Sequence, residues 1–121
     1  MKLTAAVLTE TQRPLTLVDN IEVPCLKEGQ CLIKLEYSGI CHSQIMEIDG
    51  KRGQDKYLPH MLGHEGTGTI VDKSPTVKNL SIGQRVILGW LKSDGLDAGG
   101  SVYDSPIGKV NAGAVTTFNE F

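Results

Sequence analysis

Two short stretches of this chain carry reactive side chains close together in sequence: Cys41-His42-Ser43 and Gly63-His64-Glu65-Gly66. A cysteine thiolate and a histidine imidazole are ligands that zinc prefers, and a hydroxyl beside one and a carboxylate beside the other are what a catalytic site adds. Cys41 and His64 are separated by 22 residues, a spacing that fixes nothing locally, so the fold must bring them together. Gly63 and Gly66 leave the backbone room to aim His64 and Glu65 inward, and Glu65 beside an imidazole offers either a hydrogen-bond partner or an occasional metal ligand. Two other readings stand beside the metal one. Cys41 is a buried thiol and His64 a surface histidine, or the pair is a Cys-His nucleophile, for which no third, orienting residue stands out. His60 follows Pro59 and reads as a solvated loop histidine rather than a ligand.

At 121 residues the chain is one domain or a piece of one. An apolar fraction of 40% with 21% charged residues is ordinary for a soluble globular domain. The 12 basic and 14 acidic residues are scattered, with no basic stripe and few aromatics, which argues against a nucleic-acid partner. No apolar run is long enough to span a bilayer. The Met1–Glu10 segment is too short and too polar for a secretory leader, which predicts a cytoplasmic protein. Cys25, Cys31 and Cys41 make an odd number with no Cys-x-x-Cys pair, against both a disulfide framework and a four-cysteine structural zinc site. Cys31 lies in a strand pattern and reads as a small core residue, and Cys25 has no assigned role.

The elements that must position these groups are mostly strands. Lys2–Leu8 and Leu15–Val23 read as strands stopped by Pro14 and Pro24. Cys31, Ile33, Leu35 and Tyr37 alternate with Leu32, Lys34 and Glu36, which predicts a strand with one core face leading to Gly39-Ile40-Cys41. His42–Asp49 suits a short helix stopped by Asp49-Gly50. Thr67–Val71 and Arg85–Leu88 are further strands, with a turn at Ser81-Ile82-Gly83. Leu91–Gly108, rich in glycine, aspartate and serine, predicts a long surface excursion. Thr116-Thr117-Phe118 looks like the start of a strand left unfinished, which gives the end of the chain the look of a cut and predicts an exposed edge and self-association into a homo-oligomer. Short strands with one helix predict a mostly-β domain, a barrel. Gly66-Thr67-Gly68 lacks the third glycine and the following helix of a phosphate loop; its glycines read instead as letting a strand crowd something buried.

Ser38-Gly39-Ile40-Cys41-His42-Ser43, Leu58-Pro59-His60-Met61-Leu62-Gly63-His64-Glu65-Gly66-Thr67-Gly68, Val77 and Gly83-Gln84-Arg85-Val86, in this order and spacing, resemble the catalytic domain of the zinc-dependent medium-chain alcohol dehydrogenases. The resemblance implies a partly open GroES-like β-barrel over residues 1–121, partial, with the dinucleotide-binding domain outside the chain. It implies Cys41 and His64 as ligands of one catalytic zinc, Glu65 as a near-metal carboxylate, Ser43 as the hydroxyl that takes the alcohol's proton, His42 as a contact to the phosphates of NAD or NADP, and Trp90 as a pocket-lining aromatic. The implied reaction oxidises a small alcohol to an aldehyde or ketone by hydride transfer to nicotinamide. The family's third protein ligand would lie beyond Phe121, so the chain holds half a site and alone is expected to be inactive. Leu91–Gly108 contains no cysteine, which predicts no structural zinc. Gln44 stands where the family commonly has an aspartate that steadies the histidine ligand, and Gln84 where it has an aspartate before Arg85. A non-enzymatic GroES-like binding module and a zinc-free quinone reductase are the alternatives.

Overall fold

The computed structural model describes residues 1–91 and 98–112. In chain order the strands are β1 (Lys2–Leu8), β2 (Thr16–Glu22), β3 (Cys31–Ser38), β4 (His60–Met61), β5 (Gly66–Lys73), β6 (Arg85–Leu88), β7 (Val102–Ser105) and β8 (Gly108–Asn111), with the helix α1 (His42–Ile48) between β3 and β4. This is the mostly-β architecture that the turn spacing predicts. No helix among the described residues is long and apolar enough to cross a membrane. The chain divides into two units.

The first unit takes Met1–Pro24, Cys41–Leu62 and the described residues from Gly100 onward. Its strands close into a barrel in the order β1-β2-β7-β8-β4, which hides the strand edges. Val7, Val18, Ile21 and Val110 form the core, with Leu3, Ala5, Met61 and Tyr103 packed around them. Val18 and Ile21 are three residues apart, yet both point inward. The register slips between Leu3 and Ala5, where Asn20 adopts φ 59°, and one extra residue in β2 restores the inward face after the slip. The helix α1 runs along Gln44, its buried residue, and closes at Asp49 with the Asp49 N–H on the Ile45 carbonyl at 2.9 Å.

The second unit takes Cys25–Ile40 and the described residues of 63–99. Its antiparallel sheet has the order β3-β5-β6, over a core of Ile70, Val86 and Leu88 with Cys31, Ile33 and Leu80 against it. Gly68 is buried, and a Cβ there would run into the carbonyl of Lys34, while one at Gly66 would lie 2.6 Å from the carbonyl oxygen of Tyr37. The two glycines let β5 press against the backbone of β3. That is the crowding read from Gly66-Thr67-Gly68.

Three sequence expectations need correction. Leu91–Gly108 is not a continuous surface excursion, because β7 and β8 form a hairpin with Tyr103 opposite Val110 and Ala98 is buried. The breakers at Ser105-Pro106 belong to a tight turn, in which the Ser105 hydroxyl donates to the Gly108 carbonyl at 2.7 Å. The core face of β3 ends at Ile33, since Leu35 is 50% and Tyr37 75% exposed. The register shifts between Leu35 and Tyr37, and a one-residue slip sends Tyr37 to the opposite face, in line with Thr67 and the exposed Ile87. His60 is not on a loop but in β4, opposite Leu8; two residues are too few for a period-two signal. The unfinished strand at Thr116-Thr117-Phe118 lies outside the described residues.

Two core-facing groups make stability fall in alkali. Burial pushes the Cys31 thiol above its ordinary 9.0, with Lys73 pulling weakly the other way, and burial pushes the Tyr103 phenol above 10.0. Each neutral form is favoured in the folded chain, so the folded state holds protons that the unfolded chain has lost. Stability from these groups is complete below the ordinary values and declines as pH rises through the raised ones. The urea midpoint is expected to fall from about pH 9 upward, starting near the ordinary thiol value, with the decline at the highest pH flattened in Tyr103→Phe. An equal slope in that variant would remove the phenol from the explanation.

Candidate metal centre

The site is built where β3 ends and β5 begins. Ser38 pairs with Gly66 and Tyr37 with Thr67, and one residue past the ladder the Gly39 N–H donates to the Glu65 carbonyl at 3.2 Å. The strand ladder is thereby carried to the doorstep of both motifs. Gly63 takes φ 126°, a backbone position that a side chain would strain, and His64 and Glu65 follow it as the two residues just before β5. Their ligating atoms lie within 4.8 Å of one another, His64 half-buried and Glu65 exposed.

Cys41 follows Gly39 by two residues, so chain length alone keeps it within roughly 7 Å of the Gly39 Cα. It caps α1 in extended backbone, φ −96° and ψ 151°. Its N–H donates to Oε1 of Gln44 at 2.7 Å, which is half of a capping box. The structure thus uses Gln44 to brace the cysteine, where the sequence suggested a partner for the histidine ligand. His42 is exposed and Ser43 half-buried on the first turn of the same helix. Within one unit His64 and Glu65 present an imidazole and a carboxylate side by side, and the sequence adds the Cys41 thiol. Thiolate, imidazole and carboxylate are all zinc donors, so the chemistry of the set fits the ion.

Two other sequence candidates flank β6. Trp90 lies just past β6 and is 62% exposed. Gln84 closes the turn before β6, its Oε1 accepting from the Ser81 N–H at 3.2 Å.

His60 is more than the solvated histidine read from sequence. Its Nδ1 lies 2.8 Å from Oδ2 of Asp55, with side chains only 13% and 11% exposed. The other oxygen of Asp55 accepts from the Tyr57 N–H at 2.8 Å, and Asn111 on β8 donates its side-chain amide to the Tyr57 carbonyl at 2.8 Å. This knot anchors the segment leading toward Gly63-His64. The pairing of Asp55 with a histidine five residues on was the available signal.

Known proteins bear on this geometry. The family model described as the alcohol dehydrogenase GroES-like domain matches residues 27–118. An alcohol dehydrogenase of Geobacillus stearothermophilus is 37% identical over 89 residues, covering 74% of this chain and 26% of that protein. An S-(hydroxymethyl)glutathione dehydrogenase of Synechocystis is 34% identical over 87 residues, covering 72% of this chain and 23% of the relative. Among solved structures, an alcohol dehydrogenase zinc-binding domain protein from Burkholderia ambifaria superposes with a TM-score of 0.69 at 27% identity, over 77% of this chain and 24% of that one. The chain spans about a quarter of the length of the curated relatives it matches.

Proposed function

The chain belongs to the alcohol dehydrogenase GroES-like domain family, and from that premise we propose that it is the metal-holding part of a zinc-dependent, NAD(P)-linked alcohol dehydrogenase. The observation that carries this reading is the junction of β3 and β5. There the Gly39 N–H holds the Glu65 carbonyl with His64 on one side in sequence and Cys41 two residues away on the other. A scaffold has no need to bring an imidazole and a carboxylate to one ladder end with a thiol two residues past Gly39 in the chain.

Cys41 and His64 would hold the zinc ion, with Glu65 as the carboxylate beside it. Bound there, zinc supplies positive charge that favours the ionised form of an alcohol oxygen near neutral pH. Ser43 both donates and accepts hydrogen bonds, and its place on the first turn of α1, half-buried, suits it to accept the substrate's hydroxyl proton and pass it toward solvent. The brace from Gln44 to the Cys41 N–H holds the backbone at the start of the helix that carries both Cys41 and Ser43. His42, exposed at the same turn, offers a ring N–H to a cofactor phosphate. Trp90 supplies an apolar wall for the carbon skeleton of the alcohol. Hydride acceptance belongs to a nicotinamide ring that other parts of the protein hold.

The test is alcohol-dependent reduction of NAD or NADP by the longest polypeptide that carries this chain, assayed with zinc present. Reduction that is lost on chelation and returns with zinc is the expected result. A zinc-free polypeptide that reduces quinones, or one that oxidises no alcohol, would contradict the proposal.

A further inference from the structure

Gly39 leaves no room for a Cβ while the Glu65 side chain holds its present position. A Cβ built there would lie 2.7 Å from Cδ, 2.8 Å from Cγ and 2.9 Å from Oε1 of Glu65. At Gly66 the obstacle is backbone, the carbonyl of Tyr37 at 2.6 Å, and the glycine there serves the pairing of two strands. At Gly39 all three obstructing atoms belong to one side chain. The backbone of the two residues is already joined by the Gly39 N–H on the Glu65 carbonyl at 3.2 Å. The glutamate side chain therefore lies back across the Cα of Gly39.

We propose that Gly39 is a positioning residue whose bare Cα forms the berth for the Glu65 side chain and fixes its carboxylate beside His64. Glu65 is exposed, and an exposed glutamate otherwise samples many rotamers, a freedom it loses only against a surface that receives it. With the berth open, the carboxylate stays within 4.8 Å of the His64 ligating atoms. With a methyl group in the berth, the flexible side chain gives way more cheaply than the backbone does, so the fold survives while the carboxylate moves. The consequence for ligation rests on the metal reading above; the berth itself does not.

The test compares the wild-type 121-residue chain with Gly39→Ala, Glu65→Ala and the double variant. In the metal-free chains, Gly39→Ala is expected to shift the carbon-13 resonance of the Glu65 carboxyl while leaving the urea midpoint near that of wild type. In cobalt(II) titrations, Gly39→Ala is expected to weaken binding about 10- to 100-fold, the range for loss of a supporting group around a metal. Glu65→Ala should weaken it similarly, and the double variant no further than Glu65→Ala alone. An unmoved carboxyl resonance overturns the berth, and so does a double variant that loses both factors in full. If Gly39→Ala fails to fold, Glu65→Ala must restore folding, because it removes the three atoms nearest the new Cβ; failure to restore it counts against the berth. A wild-type chain that binds no cobalt refutes the metal reading, and the carboxyl resonance then still decides the berth.

Discussion

Cys41→Ser is expected to strip the protein of zinc and of alcohol oxidation while leaving it folded. The serine hydroxyl nearly matches the thiol in volume, but it stays protonated near neutral pH and gives zinc no anionic donor. The brace between the Cys41 N–H and Gln44 Oε1 is a backbone contact and survives the change, so the helix start should hold. Losing a direct ligand should cost more than the roughly 10- to 100-fold that loss of an outer hydrogen-bond partner costs. His64→Ala removes the imidazole and is expected to act alike. Zinc content by atomic emission, read beside turnover, checks both variants. Turnover equal to wild type in either one rules out the ligand assignment.

The largest expected loss of stability follows from Gly68→Val. A Cβ at Gly68 would meet the carbonyl of Lys34 and the Cγ2 of Ile33, the latter at 2.7 Å. Unlike the glutamate end that faces Gly39, the Lys34 backbone is fixed in the β3 ladder and cannot swing aside. Overpacking ordinarily costs about 1–3 kcal/mol, occasionally more, and a branched side chain against backbone belongs at or above the upper end. The same ladder carries Ser38 to Gly66, so the variant should also loosen the junction that positions Glu65. Urea unfolding monitored at Trp90 measures the loss. A midpoint unchanged from wild type would mean that β3 and β5 can separate at Gly68 without cost.

How much of this could be read from residues alone depended on the length scale of each signal. β1 and α1 rest on local patterns of seven residues, an apolar run between breakers and a helical spacing ended by Asp49-Gly50, and both stand close to where those patterns put them. β4 has two residues and owes its existence to partners on β1 and β8, which no local pattern encodes. Tyr37 was misplaced because a register shift is a property of two strands together, and the alternation of β3 says nothing about where its partner slips. The hairpin of β7 and β8 was hidden by its composition. Ser105 and Gly108 were read as loop residues, whereas they close a turn between strands of four residues each. At the site, Cys41, His64 and Glu65 were singled out by residue type, and their roles came from the resemblance to the family. Three supports were not. The Gln44 brace, the Asp55–His60 knot and the Gly39 berth each depend on what another segment places opposite.

The ligand assignment at Cys41 and His64 is tested most directly by cobalt(II) substituted for zinc, because a cobalt–thiolate bond has its own charge-transfer absorption and reports the cysteine itself. One such band per chain is expected in wild type, retained in Cys25→Ser and Cys31→Ser and absent in Cys41→Ser. A band that persists in Cys41→Ser, or a wild-type chain that shows none, would contradict it.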